Sequence, residues 1–578
     1  MQATLDRWVG VEPDALTRSG ILQTLGVVKG SQHTPAYTMH KFWARRPWIV
    51  FRTIIEKFTR PGDVILDPFA GGGVTLVEGL IARRKVIAVD LNPLACYIMR
   101  HEVEPLNIRD FERAVSALKD RLEPIMNRIY AAKCPKCGSQ AVVEWTEYDS
   151  ASEKPLQMKI RCSCGFSGAK KPERTDLSYV PEPQDYPTNP IPAGDKTSDL
   201  LKKGYKYFYE LFTRRNLAAL TLIRREIERQ ADPKIRSFLT FAFTSTLKWA
   251  SKMSHRRGDV IEGWAMHAYW IYPKYLEINV WKQFLNRCKA VVRGKDYTNR
   301  TIGGYAQEAS SFDELRDGSA TYMILQRDAR RLPLPDESVD VVITDPPYGG
   351  NVNYAELSDY FLVWLGRTAP KEEEIIVHKT RNKTLRDYEE GLYEVFAECN
   401  RVLKRGGLLI STFNSKDFRV VTAFLLALRR AGFTYLDVSF QPYLKTYETT
   451  FHAIYVDSMP FDFVFAFRKE DAEARARARA REEINPARVR VASTPESKNM
   501  TREVVDFLKE RLTRIVEDKK TEKDFRLDTY PHMIKLVNEV EEEVARKLAE
   551  RYERLVESQR DYFGKIRKEV ISERKSKR

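Results

Sequence analysis

The 578-residue sequence has no apolar run of the ~18 residues that a membrane-spanning helix needs. Its N-terminus also lacks the charged-then-apolar pattern of a secretory signal, so we expect a cytoplasmic protein with no membrane partner. Acidic residues are in the minority, with 80 Asp and Glu against 96 Lys and Arg and a net charge of +16. This excess favours a polyanionic partner, although a merely basic protein can show the same balance.

Cysteine is scarce, with seven residues in the chain. Three are scattered, and we expect reduced, buried thiols at Cys96, Cys288 and Cys399. The other four form two tight turns, Cys134-Pro-Lys-Cys137-Gly and Cys162-Ser-Cys164-Gly. Four thiolates can surround a zinc ion tetrahedrally and leave no open position, so the turns predict a structural zinc ribbon at about 133–168. The second turn is Cys-x-Cys instead of Cys-x-x-Cys, which leaves a metal-free ribbon as the alternative.

The dinucleotide-binding pattern Gly-x-Gly-x-x-Gly is also absent, because Leu76 stands where its third glycine would be. A nucleotide-binding βαβ unit is still predicted: a strand at 64–66 runs into DPFAGGG, and a strand at 86–89 ends in Asp90. An acid after the first strand, Asp67, would repel a pyrophosphate but suits a cationic ligand. S-adenosylmethionine carries a sulfonium and an ammonium and no phosphate. We therefore predict this cofactor, with Asp67 near its amino-acid end and Asp90 on its ribose hydroxyls.

The apolar stretch Val339–Thr344 predicts a buried strand, and the tetrad Asp345-Pro346-Pro347-Tyr348 follows it. An exocyclic amino group needs acceptors for both hydrogens, so that its nitrogen lone pair can turn toward a methyl donor. The Asp345 carboxylate and the Pro346 carbonyl can supply both, since proline fixes φ and offers no competing donor. Tyr348 can stack on a flipped base. The tetrad therefore predicts catalysis, with a rigid turn as the alternative.

Four stretches resemble the adenine-specific DNA methylases that contain a zinc ribbon. They are MHKFWARRP at 39–47, DPFAGGG at 67–73, DLNP at 90–93 and DPPYGGNVNYAELSDYFLVWL at 345–365. The last stretch is the most specific, and the resemblance covers about residues 35–470. It implies an α/β fold: a seven-stranded Rossmann-like methyltransferase sheet, a large and mostly helical insertion carrying the zinc ribbon, and a helical C-terminal extension. The implied activity is methylation of the exocyclic N6 of DNA adenine, in a restriction-modification or phage-defence setting.

The cofactor site is completed by Asp328, which precedes the tetrad strand. In folds of this type a polar residue there caps the cofactor adenine, and a solvated loop acid is the alternative. The residues that we predict to bind the cofactor are Asp67, Pro68, Phe69, Gly71, Gly73, Asp90, Asn92 and Asp328.

The predicted organisation has five parts. They are a leader (1–36), the cofactor-binding part of the methyltransferase domain (37–100), an insertion (101–320), the catalytic part (321–469) and a charged helical extension (470–578). Within the insertion we predict helices at 199–230 and 233–251 and a target-recognition region. An apolar stripe from Val537 predicts a helix that pairs in a coiled coil, docks on the catalytic domain or stays solvated. A homodimer or a defence-system partner could use it.

Double-stranded DNA is the predicted partner. The basic loop around Arg256 and Arg257 can hold phosphates, and Asn353 and Tyr354 can contact the edge of a base. The alternative for Arg256 and Arg257 is a solvated loop beside an aromatic packing surface. The alternative for Asn353 and Tyr354 is a helix cap. Other functions stay open as well: cytosine-N4 methylation of DNA, guanine-N2 methylation of RNA, and a non-catalytic DNA-binding scaffold. Intact Asp67, Asp90 and Asp345 argue against the scaffold.

Overall fold

The computed structural model describes residues 32–43, 45–442, 461–470, 495–518, 520 and 522–566, together with Leu22, Leu25 and Val28. Most of the predicted leader lies outside the described residues, and so do 471–494 and 567–578 of the predicted extension. The strands are β1 Val64–Asp67, β2 Lys85–Asp90, β3 Ala131–Lys133, β4 Gln140–Asp149, β5 Pro155–Arg161, β6 Ser167–Lys170, β7 His255–Arg257, β8 Val260–Glu262, β9 Lys274–Ile278, β10 Tyr322–Gln326, β11 Val339–Thr344, β12 Leu403–Phe413, β13 Phe433–Pro442 and β14 Phe461–Lys469.

The helices lie between and after these strands. They are α1 Trp48–Phe58, α2 Val74–Ile81, α3 Pro93–Val103, α4 Ile108–Ile129, α5 Ser198–Lys202, α6 Arg214–Glu228, α7 Pro233–Ala250, α8 Val280–Thr301, α9 Phe312–Asp317, α10 Tyr354–Leu362, α11 Leu385–Val402, α12 Phe418–Arg430, α13 Pro495–Glu517, α14 Glu522–Glu539 and α15 Glu542–Ser558. Short 3-10 turns lie at Pro35–Thr38, Phe208–Leu211, Gly303–Tyr305 and Val363–Leu365. Among the described helices, none combines the length and the apolar character that a membrane span requires.

The predicted seven-stranded sheet is present, in the order β10-β2-β1-β11-β12-β14-β13. Its strands are parallel except β14, which lies antiparallel between β12 and β13. Side chains alternate across the sheet, so Ile65 and Val86 pack with α1 and α2, whereas Leu66 and Ile87 face α11 and α12. Both faces are buried, which explains why these strands read as continuous apolar runs. The parallel order places the carboxyl ends of β10, β2, β1 and β11 side by side.

The insertion between β2 and β10 has its own core. An antiparallel sheet β3-β4-β5-β6, extended by β9 beside β4, packs with α4, α6, α7 and α8. The predicted helix at 199–230 is wrong: the chain leaves α5 at Gly204, which has a φ of 88°, and α6 begins only after the Thr213 cap. Leu106 and Asn299 clasp the two ends of the insertion, with Leu106 N donating to Asn299 Oδ1 at 3.3 Å and Asn299 Nδ2 donating back to the Leu106 carbonyl at 2.8 Å.

The C-terminal helices α14 and α15 dock on α12 of the catalytic part. The predicted apolar stripe is interrupted where α14 ends at Glu539, and its later members Val544, Leu548 and Tyr552 are buried against that surface. Tyr552 and Phe418 lie ring against ring, with centroids 5.3 Å apart. Of the three predicted uses of the stripe, docking on the catalytic domain is the one observed.

Candidate active site

A cleft opens at the carboxyl ends of β1, β2, β10 and β11. Its volume is about 1060 Å³, part of it open to solvent. We call it the central cleft. Most residues predicted to bind the cofactor line it, as do two members of the tetrad and one predicted DNA contact: Asp67, Pro68, Phe69, Gly71, Asp90, Asn92, Asp328, Asp345, Pro347 and Tyr354. The parallel sheet thus gathers acids that are far apart in the sequence at one edge.

Asp67 ends β1 and is 3% exposed. Its Oδ1 accepts from Thr344 Oγ1 at 2.7 Å and from the Phe69 backbone N–H at 3.1 Å, and its Oδ2 accepts from Thr75 Oγ1 at 2.6 Å. Burial raises the pKa of the Asp67 carboxyl to about 7, against the lowering effect of these donors. The Asp67 carboxylate therefore connects β1, α2 and β11 through hydrogen bonds, and it also lines the central cleft.

Asp90 ends β2 and accepts two backbone N–H groups. Gly71 N donates to one carboxylate oxygen at 2.8 Å, and Asn92 N donates to the other at 2.7 Å. Burial raises the pKa of the Asp90 carboxyl to about 6, although both N–H donors oppose this shift. The bond to Gly71 ties the glycine-rich loop to the end of β2, so both loops present their backbone to the central cleft in a fixed arrangement.

Of the remaining predicted cofactor residues, Asn92 and Asp328 line the cleft, whereas Gly73 is not among its lining residues. Asn92 caps α3 through Leu94 N at 3.0 Å and donates from Nδ2 to Ser358 Oγ at 2.7 Å, which links the cofactor half to α10. Gly73 precedes α2 with a φ of 76°, and an added Cβ would lie 2.8 Å from Met99 Cγ. Asp328 follows β10 and accepts from Arg330 Nε at 2.9 and 3.0 Å.

The Asp345 carboxylate is held by three side chains. Arg46 Nε donates to Oδ2 at 2.8 Å, while Thr412 Oγ1, at 2.6 Å, and the Tyr348 hydroxyl both donate to Oδ1. Asp345 is one-fifth exposed and Arg46 is 13% exposed. Burial raises the pKa of Asp345, and the Arg46 guanidinium is the largest influence in the opposite direction.

The rest of the tetrad is also fixed. Pro346 is buried, and the Pro347 carbonyl accepts from the hydroxyl of buried Tyr388 on α11 at 2.6 Å. The Tyr348 ring meets Phe413 edge-on, with centroids 4.8 Å apart, and the Arg46 Cζ lies 4.6 Å from the centre of the Tyr348 ring. In this conformation the predicted stacking position over Tyr348 is therefore filled by Arg46.

The predicted nucleic-acid contacts separate into two groups. Tyr354 lies at the cleft and stacks on Phe42, with ring centroids 5.6 Å apart, whereas Asn353 is fully buried and donates to Glu356 at 3.4 Å. A base-edge contact by Asn353 is thus not available in this conformation. Arg256 and Arg257 lie on the exposed hairpin β7–β8 of the insertion.

Sequence reasoning missed several residues that complete the site. Thr412 on β12 donates to Asp345, and Asp462 on β14 accepts from Arg46 at 3.0 and 3.1 Å. The segment before α11 also lines the cleft with Pro370, Glu373, Glu374, Ile375 and Ile376. The aromatic-arginine segment around Arg46 was noted in the sequence, but no local signal links an arginine to an acid hundreds of residues away.

The four cysteines of the predicted ribbon converge in the insertion. All four Sγ atoms lie within 4.8 Å of one another, with Cys134–Cys164 at 3.7 Å and Cys137–Cys162 at 3.6 Å. A tetrahedral zinc with bonds of about 2.3 Å spaces its sulfurs about 3.8 Å apart. The donor set and its spacing fit such an ion.

The chain is similar to known DNA methyltransferases. The chain is 20% identical to the type II methyltransferase M.MjaII of Methanocaldococcus jannaschii, over 63% of this chain and 68% of that protein. It is 22% identical to the type II methyltransferase M.MvaI of Kocuria varians, over 54% of this chain and 52% of that protein. The chain thus spans about two-thirds of the first relative and about half of the second. Among solved structures, a Thermus thermophilus DNA modification methylase in complex with S-adenosyl-L-methionine is 19% identical, covering 25% of this chain and 54% of that chain, with a TM-score of 0.16. A TM-score this low carries no inference about function.

A family model for DNA methylases of the N6/N4 type matches residues 11–101 and 339–548, which together make up more than half of the chain. The two matched segments contain both the acid-ended strands β1 and β2 and the tetrad strand β11. The insertion falls between them. The chain therefore belongs to the N6/N4 DNA methylase family, whose members transfer methyl groups from S-adenosylmethionine to DNA.

Proposed function

We propose that this protein methylates the exocyclic N6 of adenine in double-stranded DNA, as the modifying member of a restriction-modification system. One observation carries the proposal: Asp345 and Asp90 line the same cleft, at the carboxyl ends of β11 and β2. Asp345, an acceptor for an amino group, thus lines the same cleft as Asp90, which suits the ribose of a nucleoside cofactor. The similarity to two type II methyltransferases supports the restriction-modification setting.

In this proposal a flipped adenine enters the central cleft beside Tyr348. Its amino group donates one hydrogen to Asp345 and the other to the Pro346 carbonyl, which orients the nitrogen lone pair. Thr412 holds the Asp345 carboxylate in place during this step, and Tyr388 holds the turn through the Pro347 carbonyl. Catalysis then rests on orientation and on fixed dipoles, with no covalent enzyme intermediate.

The cofactor supplies an electrophilic methyl group when it is bound. We propose that Asp90 accepts from its ribose hydroxyls and that Asp328 lies near its adenine. Phe69 and Gly71 would form the wall between these two contacts. The Asp67 carboxylate, already engaged with Thr75 and Thr344, would act on the cationic end of the cofactor by charge and not by a new hydrogen bond.

The test is to incubate the purified protein with labelled S-adenosylmethionine and either genomic DNA or total RNA, and to identify the labelled nucleoside by mass spectrometry. N6-methyladenine in DNA is the expected product. N4-methylcytosine would move the assignment to the other branch of the family, because both amino groups fit the same pair of acceptors. Label in RNA alone would refute DNA as the substrate.

We also propose that the cysteine cluster holds a structural zinc ion, coordinated by Cys134, Cys137, Cys162 and Cys164. The sulfur spacing supports this, and a small sheet gains folding energy from a metal. We expect one zinc per chain by elemental analysis, lost in Cys134→Ser. Cys288→Ser, a change at a cysteine in the helical core, should retain the metal. Zinc retained in Cys134→Ser would contradict the four-thiolate site.

A further inference from the structure

Arg46 contacts Asp345, Asp462 and Tyr348 within the candidate catalytic site. Its Nε donates to Asp345 at 2.8 Å, its Nη1 donates to both oxygens of Asp462 at 3.0 and 3.1 Å, and its Cζ lies 4.6 Å from the centre of the Tyr348 ring. The side chain is 13% exposed, so most of its surface is buried. The guanidinium is thus built into the site and does not lie at its rim.

The same position is the one that a target base requires. The amino group of a base must donate an N–H to Asp345 while its ring lies against Tyr348. A guanidinium is planar, presents N–H donors in a fork and stacks on aromatic faces. Arg46 therefore contacts the same carboxylate and the same ring that the base would use, so the two groups would compete for this position.

We propose that Arg46 is a placeholder for the target base: it fills the seat between Asp345 and Tyr348, and it yields the seat by moving onto Asp462 when a base enters. The inference rests on the proposed function, because that function defines the seat. It adds to the reaction a residue that competes with the target base for Asp345 and Tyr348.

The surroundings of Arg46 favour a movement of its side chain over a movement of its backbone. Trp43, three residues earlier, is 2% exposed in the core, and Arg45 pairs with buried Glu102 at 2.9 Å. Helix α1 begins two residues later. Both flanks are thereby anchored, and the long arginine side chain supplies the freedom that the exchange needs.

Asp462 is suited to retain the displaced guanidinium. It is 7% exposed, it already binds Arg46 through both oxygens, and Asn414 Nδ2 holds its Oδ1 at 3.1 Å. Rotation about this contact would release Asp345 without leaving the arginine charge unpaired. A base that cannot donate to Asp345 would not compensate for the lost Arg46 contact, so the exchange would also discriminate against such bases.

The test compares wild type, Arg46→Ala and the control Arg300→Ala, whose exposed arginine pairs only with Asp296 among its described contacts. Each is assayed for label transfer to genomic DNA over a range of DNA concentrations. We expect Arg46→Ala to show a several-fold lower KM for DNA, with unchanged cofactor affinity. Guanidinium chloride, well below unfolding concentrations, should refill the seat and inhibit Arg46→Ala in competition with DNA. Sodium chloride at the same ionic strength is the reference.

Asp462→Asn provides a second variant with the opposite expectation. A weaker retaining contact should hold Arg46 in the seat and raise the KM for DNA, and the combination with Arg46→Ala should remove that increase. An unchanged KM in Arg46→Ala, or a lower kcat that guanidinium restores, would overturn the placeholder role. No label from the wild-type protein would instead overturn the proposed function, and the seat with it.

Discussion

At the scale of single residues, the carboxylate of Asp345 is the centre of the proposed chemistry. Arg46, Thr412 and Tyr348 approach it from three different parts of the chain and leave it one orientation. Pre-set acceptors of this kind cost no reorganisation when the amino group arrives. We therefore expect a substitution of Asp345 to lower turnover and to leave cofactor affinity unchanged.

We expect Asp345→Ala to lower kcat by about 100-fold or more, because a fixed acceptor of the amino group is lost. The dissociation constant for S-adenosylmethionine, measured by calorimetry, should stay within about twofold of wild type on the same reasoning. Asp340→Asn is the matched control: it lies at the other end of β11, where Asp340 binds Val64 N at 2.8 Å and pairs with Lys404. Normal turnover in Asp345→Ala would remove Asp345 from the mechanism.

Asp90 should make cofactor affinity depend on pH. Burial raises the pKa of this carboxyl to about 6, so it becomes protonated as the pH falls through that value and loses its strength as an acceptor for ribose hydroxyls. We expect the dissociation constant to rise by about tenfold per pH unit below 6. Asp90→Asn should weaken binding at pH 8 and flatten this dependence. A pH dependence that persists in Asp90→Asn would point to another acid, such as Asp67.

The raised pKa of Asp90 makes stability change with pH in the opposite direction from cofactor affinity. The folded-state pKa of Asp90 lies above the unfolded one, so its stabilising contribution is present at low pH and is lost as the pH rises through about 6. Thermal melts recorded with the binding titrations therefore separate weaker binding from unfolding: between pH 7 and 5, affinity should fall while this group adds stability.

At the scale of elements, the docked C-terminal helices join the catalytic part through a buried ion pair. Arg526 on α14 donates to Glu553 on α15 at 2.8 and 3.0 Å, and the two side chains are 5% and 15% exposed. Glu553 also accepts from Phe418 N, at the start of α12, at 2.7 Å. The pair therefore connects both C-terminal helices to the sheet domain.

We expect Arg526→Met to reduce the free energy of unfolding by about 3–5 kcal/mol, because it leaves the buried Glu553 charge uncompensated. Urea denaturation measures this loss. Arg554→Met is the control, since Arg554 and Glu550 form an exposed pair at 3.6 Å and should contribute at most about 1 kcal/mol. Equal losses in the two variants would contradict a structural role for the buried pair.

Elements with local signals were predictable from the sequence. Strands β1, β2 and β11 carry continuous apolar runs that end in Asp67, Asp90 and the tetrad, so their type and their polar ends follow from the residues themselves. The predicted helix at 199–230 failed because the positive φ of Gly204 interrupts a stretch whose composition is otherwise helical. The contact between Arg46 and Asp345 was out of reach, because it depends on tertiary packing that no local pattern encodes.

At the scale of the whole molecule, the excess of positive charge predicts salt-dependent DNA binding. Arg256 and Arg257 lie on an exposed hairpin of the insertion, where Arg257 pairs with Glu262 at 2.6 Å and Arg256 lies 3.7 Å from Glu147. We expect the double change to alanine to reduce the slope of log affinity against log salt concentration by about 1–2.

Fluorescence anisotropy with duplex DNA at several salt concentrations provides this measurement. The control is Arg113→Ala combined with Arg300→Ala, which removes the same charge from exposed positions on α4 and α8. That control should keep the wild-type slope. Equal slopes in the hairpin variant and in wild type would mean that the hairpin does not neutralise phosphates.

The clasp between Leu106 and Asn299 has a consequence for the order of folding. Strand β2 pairs with β10 from Val86 to Asp90, but the entire insertion is synthesised between the two strands. Closing so long a loop is entropically costly and slow when the loop is unstructured. An insertion that collapses first on its own core, with Leu106 and Asn299 in contact, converts that loop into a short connection. The insertion would then act as an internal scaffold that brings β10 to the open edge of the sheet.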